Sequence, residues 1–138
     1  MALFVHAIKK NSIRIITPCC IDVKNYKRTS GSSAGEYYCE SALWDTGASV
    51  TLVSERVAAE LGLVKTGTTL VSGFDGVRKR ANTYRIDLRF SDDMRLDFVE
   101  AVETPSPFFD MLIGMDVICQ GNFHLDNKSE LPCVSFEL

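Results

Sequence analysis

Ala42-Leu43-Trp44-Asp45-Thr46-Gly47-Ala48-Ser49 sets a carboxylate, a hydroxyl and a glycine directly behind an apolar run. A strand ending in that triplet hands one acid to a tight turn. An Asx-type turn uses the same residues for backbone reasons alone, so the triplet by itself also reads as a solvated turn. A second element adds weight: Phe109-Asp110-Met111-Leu112-Ile113-Gly114-Met115-Asp116, where two large aliphatics run straight into a glycine. The interval between Asp45 and Gly114 is long enough for a hairpin and two further strands, with no separate domain between them.

In this order the two elements resemble the retropepsins, the single-domain aspartic proteases, from about Glu40 to about Asp126. The resemblance implies an all-β fold, an acid-protease closed β-barrel with one or two short helices. The 138 residues are one domain's worth. The chain divides into N-terminal strands and a loop over 1–36, a protease core over 37–126 and a C-terminal strand over 127–138. Pepsin-like enzymes have two lobes, each with its own D-T/S-G loop. Here the only other Asp-Gly is Asp75-Gly76, which lacks the hydroxyl. Chemistry that needs two aspartates must then borrow the second from another copy, which predicts a C2 homodimer with Asp45 on the axis.

The resemblance also implies roles. Two neighbouring Asp45 carboxylates would hold a water between them and share a proton, so that one deprotonates the water while the other protonates the carbonyl oxygen of a peptide bond. Thr46 would lock the loop across the dimer axis, Gly47 would let backbone approach substrate, and Ala48 and Ser49 would line the substrate pocket. Leu112 and Ile113 would pack beneath the loop, and Gly114 would permit close chain approach. No cofactor and no metal is called for. Retroviral members carry an acid two residues beyond the D-T-G glycine and an arginine after the later glycine, an ion pair that helps set the dimer. Ser49 and Met115 stand there instead. The D-T-G-A-S and L-I-G-M-D wording is closer to cellular and bacterial retropepsin-like proteins.

Around these motifs the chain reads as mostly β. Leu3–Ile8 and Ile13–Ile21 predict strands, and Asn25–Glu36, rich in serine and glycine, predicts a mobile surface loop. Tyr37–Trp44 and Val50–Val53 flank the Asp45 turn. Ser54–Gly62 predicts a short helix with a hydroxyl cap at its start, a glycine at its end, and Val57 and Leu61 turned to the core. Thr68–Ser72 and Val77–Tyr84 flank Gly73-Phe74-Asp75-Gly76, a tip suited to a flap that covers an extended peptide substrate. Tyr84–Phe90 alternates apolar and charged residues, Ser91–Asp93 turns, and Met94–Val102 returns. Asp116 predicts a helix start, its carboxylate capping backbone donors.

The net charge is −3 and the pI about 5.3, which points away from nucleic-acid and membrane-surface partners. The basic run Arg78–Arg80 reads as a solvated hairpin face. Met1–Ile8 is too short, and too soon followed by Lys9-Lys10, for a signal peptide, and no run approaches membrane-spanning length, so the expectation is cytoplasmic. The five cysteines, Cys19, Cys20, Cys39, Cys119 and Cys133, show no C-x-x-C and read as reduced thiols, with Cys119 expected to be buried. His6 and His124 lack a nucleophile motif beside them. Two other readings stay open: a non-catalytic dimerisation or peptide-binding module on the same fold, and an unrelated small β-barrel whose D-T-G is accidental.

Overall fold

Alternation decides the longest pair of strands. β6 (Arg78–Ser91) and β7 (Met94–Thr104) run antiparallel and bury Ile86, Leu88, Met94 and Ala101 while sending Arg85 and Glu100 outward. The computed structural model describes residues 2–29, 31, 35–73 and 75–138. Phe74, in the expected hairpin tip, and Ser30 and 32–34, in the expected surface loop, lie outside the described residues.

The other elements are β1 (Leu3–Ala7), β2 (Ile15–Asp22), β3 (Glu36–Trp44), β4 (Leu52–Ser54), α1 (Glu55–Leu61), β5 (Gly67–Ser72), β8 (Met111–Ile113), α2 (Met115–Ile118), β9 (Asn122–Asp126) and β10 (Cys133–Glu137). One sheet runs β2-β3-β8-β4-β7-β6-β5, and β2 also pairs with β6, so six of these strands close into a barrel with β5 outside it. A second sheet, β1-β10-β9, holds both ends of the described chain. The fold is therefore the expected all-β barrel with two short helices.

Helix α1 forms as its residues dictate. The Ser54 side chain accepts a hydrogen bond from the Val57 N–H, and Gly62 closes the helix at φ 62°, a left-handed position that glycine takes without strain. Val57 and Leu61 are fully buried, each worth about 1.5–3 kcal/mol of apolar transfer.

The barrel closes over two acids. Asp22 on β2 lies directly opposite Asp87 on β6, and both are buried. Arg95 on β7 spans them, at 3.1 Å from Asp22 and 2.6 Å from Asp87. The Tyr26 hydroxyl donates to Asp87 at 2.5 Å. The β6–β7 register shifts between Ile86 and Leu88, and Phe98, at φ 62°, turns its N–H to the same carboxylate. Unpaired, two buried carboxylates would repel each other and lose their hydration; here each is hydrogen-bonded and the pair shares one cation. Burial works against ionisation of Asp22, but the Lys24 N–H and the Arg95 guanidinium outweigh it and hold the carboxyl below its ordinary value.

The second sheet packs through aromatic rings. Trp44 lies 5.4 Å from Phe90, 5.0 Å from Phe123 and 5.3 Å from Phe136, centroid to centroid. Its indole N–H donates to the buried Thr17 hydroxyl at 2.9 Å, so the ring is buried without losing its polar bond.

Three expectations are corrected. β2 starts at Ile15, because Asn11 at φ 62° and the Ser12–Lys9 bonds make a turn that leaves Ile13 96% exposed. The strand leaving the Asp45 turn starts at Leu52, since the Thr51 N–H is taken by Asp116. Cys119 is exposed, because α2 is a single turn whose buried side is filled by Val117 and Ile118. Asp116 stands in the first turn of α2 as expected, just inside the capping position, which Gly114 holds, and its carboxylate accepts the Val117 N–H.

Candidate active site around Asp45

Strand β3 carries the chain to Asp45 beside β8, with Trp44 paired to Ile113 in a parallel ladder. The ladder continues into the turn: the Asp45 N–H donates to the Ile113 carbonyl at 2.9 Å, and the Met115 N–H donates back to the Ala48 carbonyl at 2.8 Å. Asp45 Oδ1 accepts the Gly47 N–H at 2.8 Å, and Ala48 N–H closes on the Asp45 carbonyl at 3.3 Å. Such an Asx turn orients the carboxylate without burying it. Asp45 is half-buried and Thr46, Gly47 and Ser49 are exposed.

Gly114 is a position where only glycine fits. A Cβ there would stand 2.4 Å from the Val50 carbonyl oxygen and 3.0 Å from that of Ala48, both backbone atoms. The Gly114 N–H donates to the Thr51 hydroxyl at 3.2 Å. That hydroxyl donates to Asp116 Oδ1 at 2.8 Å, while Asp116 Oδ2 accepts the Thr51 N–H at 3.1 Å. Asp116 also accepts its own neighbour's N–H, from Val117, at 3.0 Å. Thr51, fully buried, thus joins the Asp45 turn to the Gly114 element, and sequence reading overlooked it. Its one signal is a hydroxyl in the apolar run that follows the turn.

Leu112 and Ile113 are buried beneath the turn. In front of β8, Asp110 pairs with Arg56 of α1 and accepts from the Tyr37 hydroxyl at 3.4 Å, while its carbonyl takes the Ser54 N–H at 2.9 Å. These contacts fasten the helix to the strand that supports Asp45.

The β5–β6 hairpin forms as expected. At its tip the Gly76 N–H donates to the Gly73 carbonyl at 3.1 Å, Val77 N–H donates to Asp75 Oδ1 at 3.0 Å, and Gly76 sits at φ 72°. Gly73 and Asp75 overhang a cavity of about 520 Å³, walled by Leu52 and Glu55 on one side and Glu103 to Pro105 on another. Asp45 to Ser49 do not line it. A second cavity of about 260 Å³ lies on the β3 side of the turn, lined by Arg14, Ile16, Ser41, Leu43, Phe108 and Phe109. Phe108 is 86% exposed, and the sequence reading assigned neither phenylalanine a place at the site.

No group of three or more His, Cys, Asp or Glu among the described residues is placed to hold a metal ion. No helix among them is long and apolar enough to cross a membrane.

Residues 34–117, more than half of the chain, match the family described as aspartyl protease. Among solved structures, a retropepsin-like aspartic protease from Rickettsia conorii superposes with a TM-score of 0.60 at 14% identity, over 98% of this chain and 91% of that one. The retroviral protease-like domain of Ddi1 from Leishmania major superposes with a TM-score of 0.51 at 15% identity, over 93% and 97%. At these identities the two likenesses show the fold. Among curated proteins, none matches the chain.

Proposed function

The chain belongs to the aspartyl protease family, and from that premise we propose that it is an aspartic endopeptidase acting as a homodimer, each subunit supplying one Asp45. The observation that carries the proposal is the bracing of the Asp45 turn: Asp45 is only half-buried, while the backbone on either side is bonded to Ile113 and Met115. A nucleophile-activating group must be held rigidly and still be reachable. One chain offers half of such a site, and a two-fold axis through the turn would complete it.

In this reading the two carboxylates share one proton and hold a water. One takes a proton from that water as it attacks the peptide carbonyl, and the other protonates the carbonyl oxygen. Thr46, exposed in the single chain, would bond across the axis. Gly47 would let the substrate backbone approach, and Ala48 and Ser49 would lie beside it. The hairpin tip, Gly73 to Gly76 with Phe74, would close over an extended peptide and exclude water. The cavity under the hairpin and the Phe108–Phe109 cavity would take side chains on either side of the cut bond. Residues 1–138 act as one domain in this scheme. Five free thiols suit a reducing compartment such as the cytoplasm.

The test is cleavage of a mixed peptide library at mildly acidic and neutral pH by wild type and Asp45→Asn, with oligomeric state followed in the same samples. Cleavage by a dimer that disappears in the variant supports the proposal. A confirmed dimer that cleaves nothing points to a peptide-binding module instead.

A further inference from the structure

We propose that Lys27, Lys65 and Arg85 form a binding site for a phosphate group, either the free ion or one carried on a small molecule. Three separate segments meet there. Lys27 follows β2, Lys65 lies between α1 and β5, and Arg85 projects from β6. Together with Tyr26, Leu63, Val64 and Thr66 they line a cavity of about 160 Å³, in which no carboxylate takes part. That is the room of on the order of five waters, enough for one tetrahedral oxyanion. The cavity shares no lining residue with the one under the hairpin or with the Phe108–Phe109 cavity.

Charge argues for the occupant. In a chain of net charge −3, three cations gathered on one small cavity repel one another. The side chains of the three make no ion pair or hydrogen bond with another described residue. Arg85 lies opposite Glu100 in the β6–β7 register, yet no ion pair joins them. A phosphoryl group brings nearly two negative charges and three acceptor oxygens, which match three donor-only side chains better than a single carboxylate does.

The backbone that carries the three exposed side chains is already held in place, so binding orders the side chains alone. The Thr66 N–H donates to the Thr83 carbonyl at 2.8 Å, and its hydroxyl bonds the same strand. The Thr29 N–H donates to the Gly62 carbonyl at 2.8 Å, and Arg28 and Leu63 form a β-bridge, which together hold the loop carrying Lys27 against the loop carrying Lys65. Tyr26 is anchored through its hydroxyl to Asp87. A fixed backbone confines the ordering cost of binding to those side chains.

Calorimetric titration of the full chain with inorganic phosphate and with glycerol phosphate, at ionic strength held constant with sodium chloride, tests the site. Saturable one-to-one binding is expected, weakened about fivefold by Arg85→Gln or Lys65→Gln and lost when Lys27→Gln is combined with both. Lys9→Gln with Lys10→Gln, which removes two charges elsewhere, should leave it unchanged. Tighter binding of inorganic phosphate would identify a free ion, and tighter binding of the ester a carried group; either supports the site. Absent or non-saturable binding, or equal loss in the Lys9/Lys10 control, overturns it.

Discussion

Asp116 grips Thr51 twice, taking its N–H at 3.1 Å and its hydroxyl at 2.8 Å. The same hydroxyl accepts the Gly114 N–H. One buried threonine therefore joins the segment that leaves the Asp45 turn to the segment that supports it from below, and the Asp116 carboxylate at the start of α2 serves this clamp as well as the Val117 N–H.

Thr51→Val keeps the side chain's shape and removes the hydroxyl, leaving Asp116 and the Gly114 N–H each short of a partner. A loss of about 2 kcal/mol follows from unsatisfied buried polar groups. Urea unfolding should show the midpoint fall with little change in slope.

Gly114→Ala puts a methyl group against backbone atoms, the Val50 carbonyl above all. Backbone cannot swing aside as a side chain can, so about 1–3 kcal/mol of overpacking strain is expected. Because the strained segment is the one that bonds the Asp45 N–H, the proposed peptide cleavage should fall along with thermal stability. Full activity at wild-type melting temperature would show that the turn adapts.

Asp22→Asn tests the barrel seam. The folded carboxyl of Asp22 lies below its ordinary value, so the stability it contributes is present above about pH 4 and lost as the pH falls through the folded value. Wild type should exceed the variant by about 2 kcal/mol at neutral pH, with the gap closing in acid. Melting temperatures of both proteins from pH 7 downwards supply the check; a gap that widens in acid contradicts the assignment.

The thiols should divide by position. Burial, then the charge of Asp110, pushes Cys39 up to about 12, and burial with neighbouring Cys39 and Cys20 raises Cys19 well above the usual range. Cys119 is exposed. Thiol labelling at pH 8 with peptide mapping should mark Cys119 in the native protein, and Cys19 and Cys39 only after denaturation.

Much of this was legible because it is local. Ser54 and Gly62 bound α1 through bonds made within one turn, and the Gly73–Gly76 tip makes its turn from its own backbone and the Asp75 side chain. The apolar and charged alternation of Tyr84–Phe90 announced a strand with one buried face. Ile13 misled because an apolar residue beside a strand pattern reads as part of it, while the turn at Asn11 depends on a bond to Asn127, far along the chain. Cys119 misled because the orientation of a one-turn helix is set by what it packs on.

By itself the sequence determined the order of the elements, the Asp45 turn and the apolar-to-glycine step at Gly114, since each is a pattern of neighbours that spacing preserves. Tertiary structure alone decided that Thr51 meets Asp116, that Asp22 faces Asp87 under Arg95, and that Lys27, Lys65 and Arg85 share a cavity. Those residues come together only when the barrel closes, and hydrogen bonds and charge contacts act over a few ångströms of space, whatever length of chain lies between them.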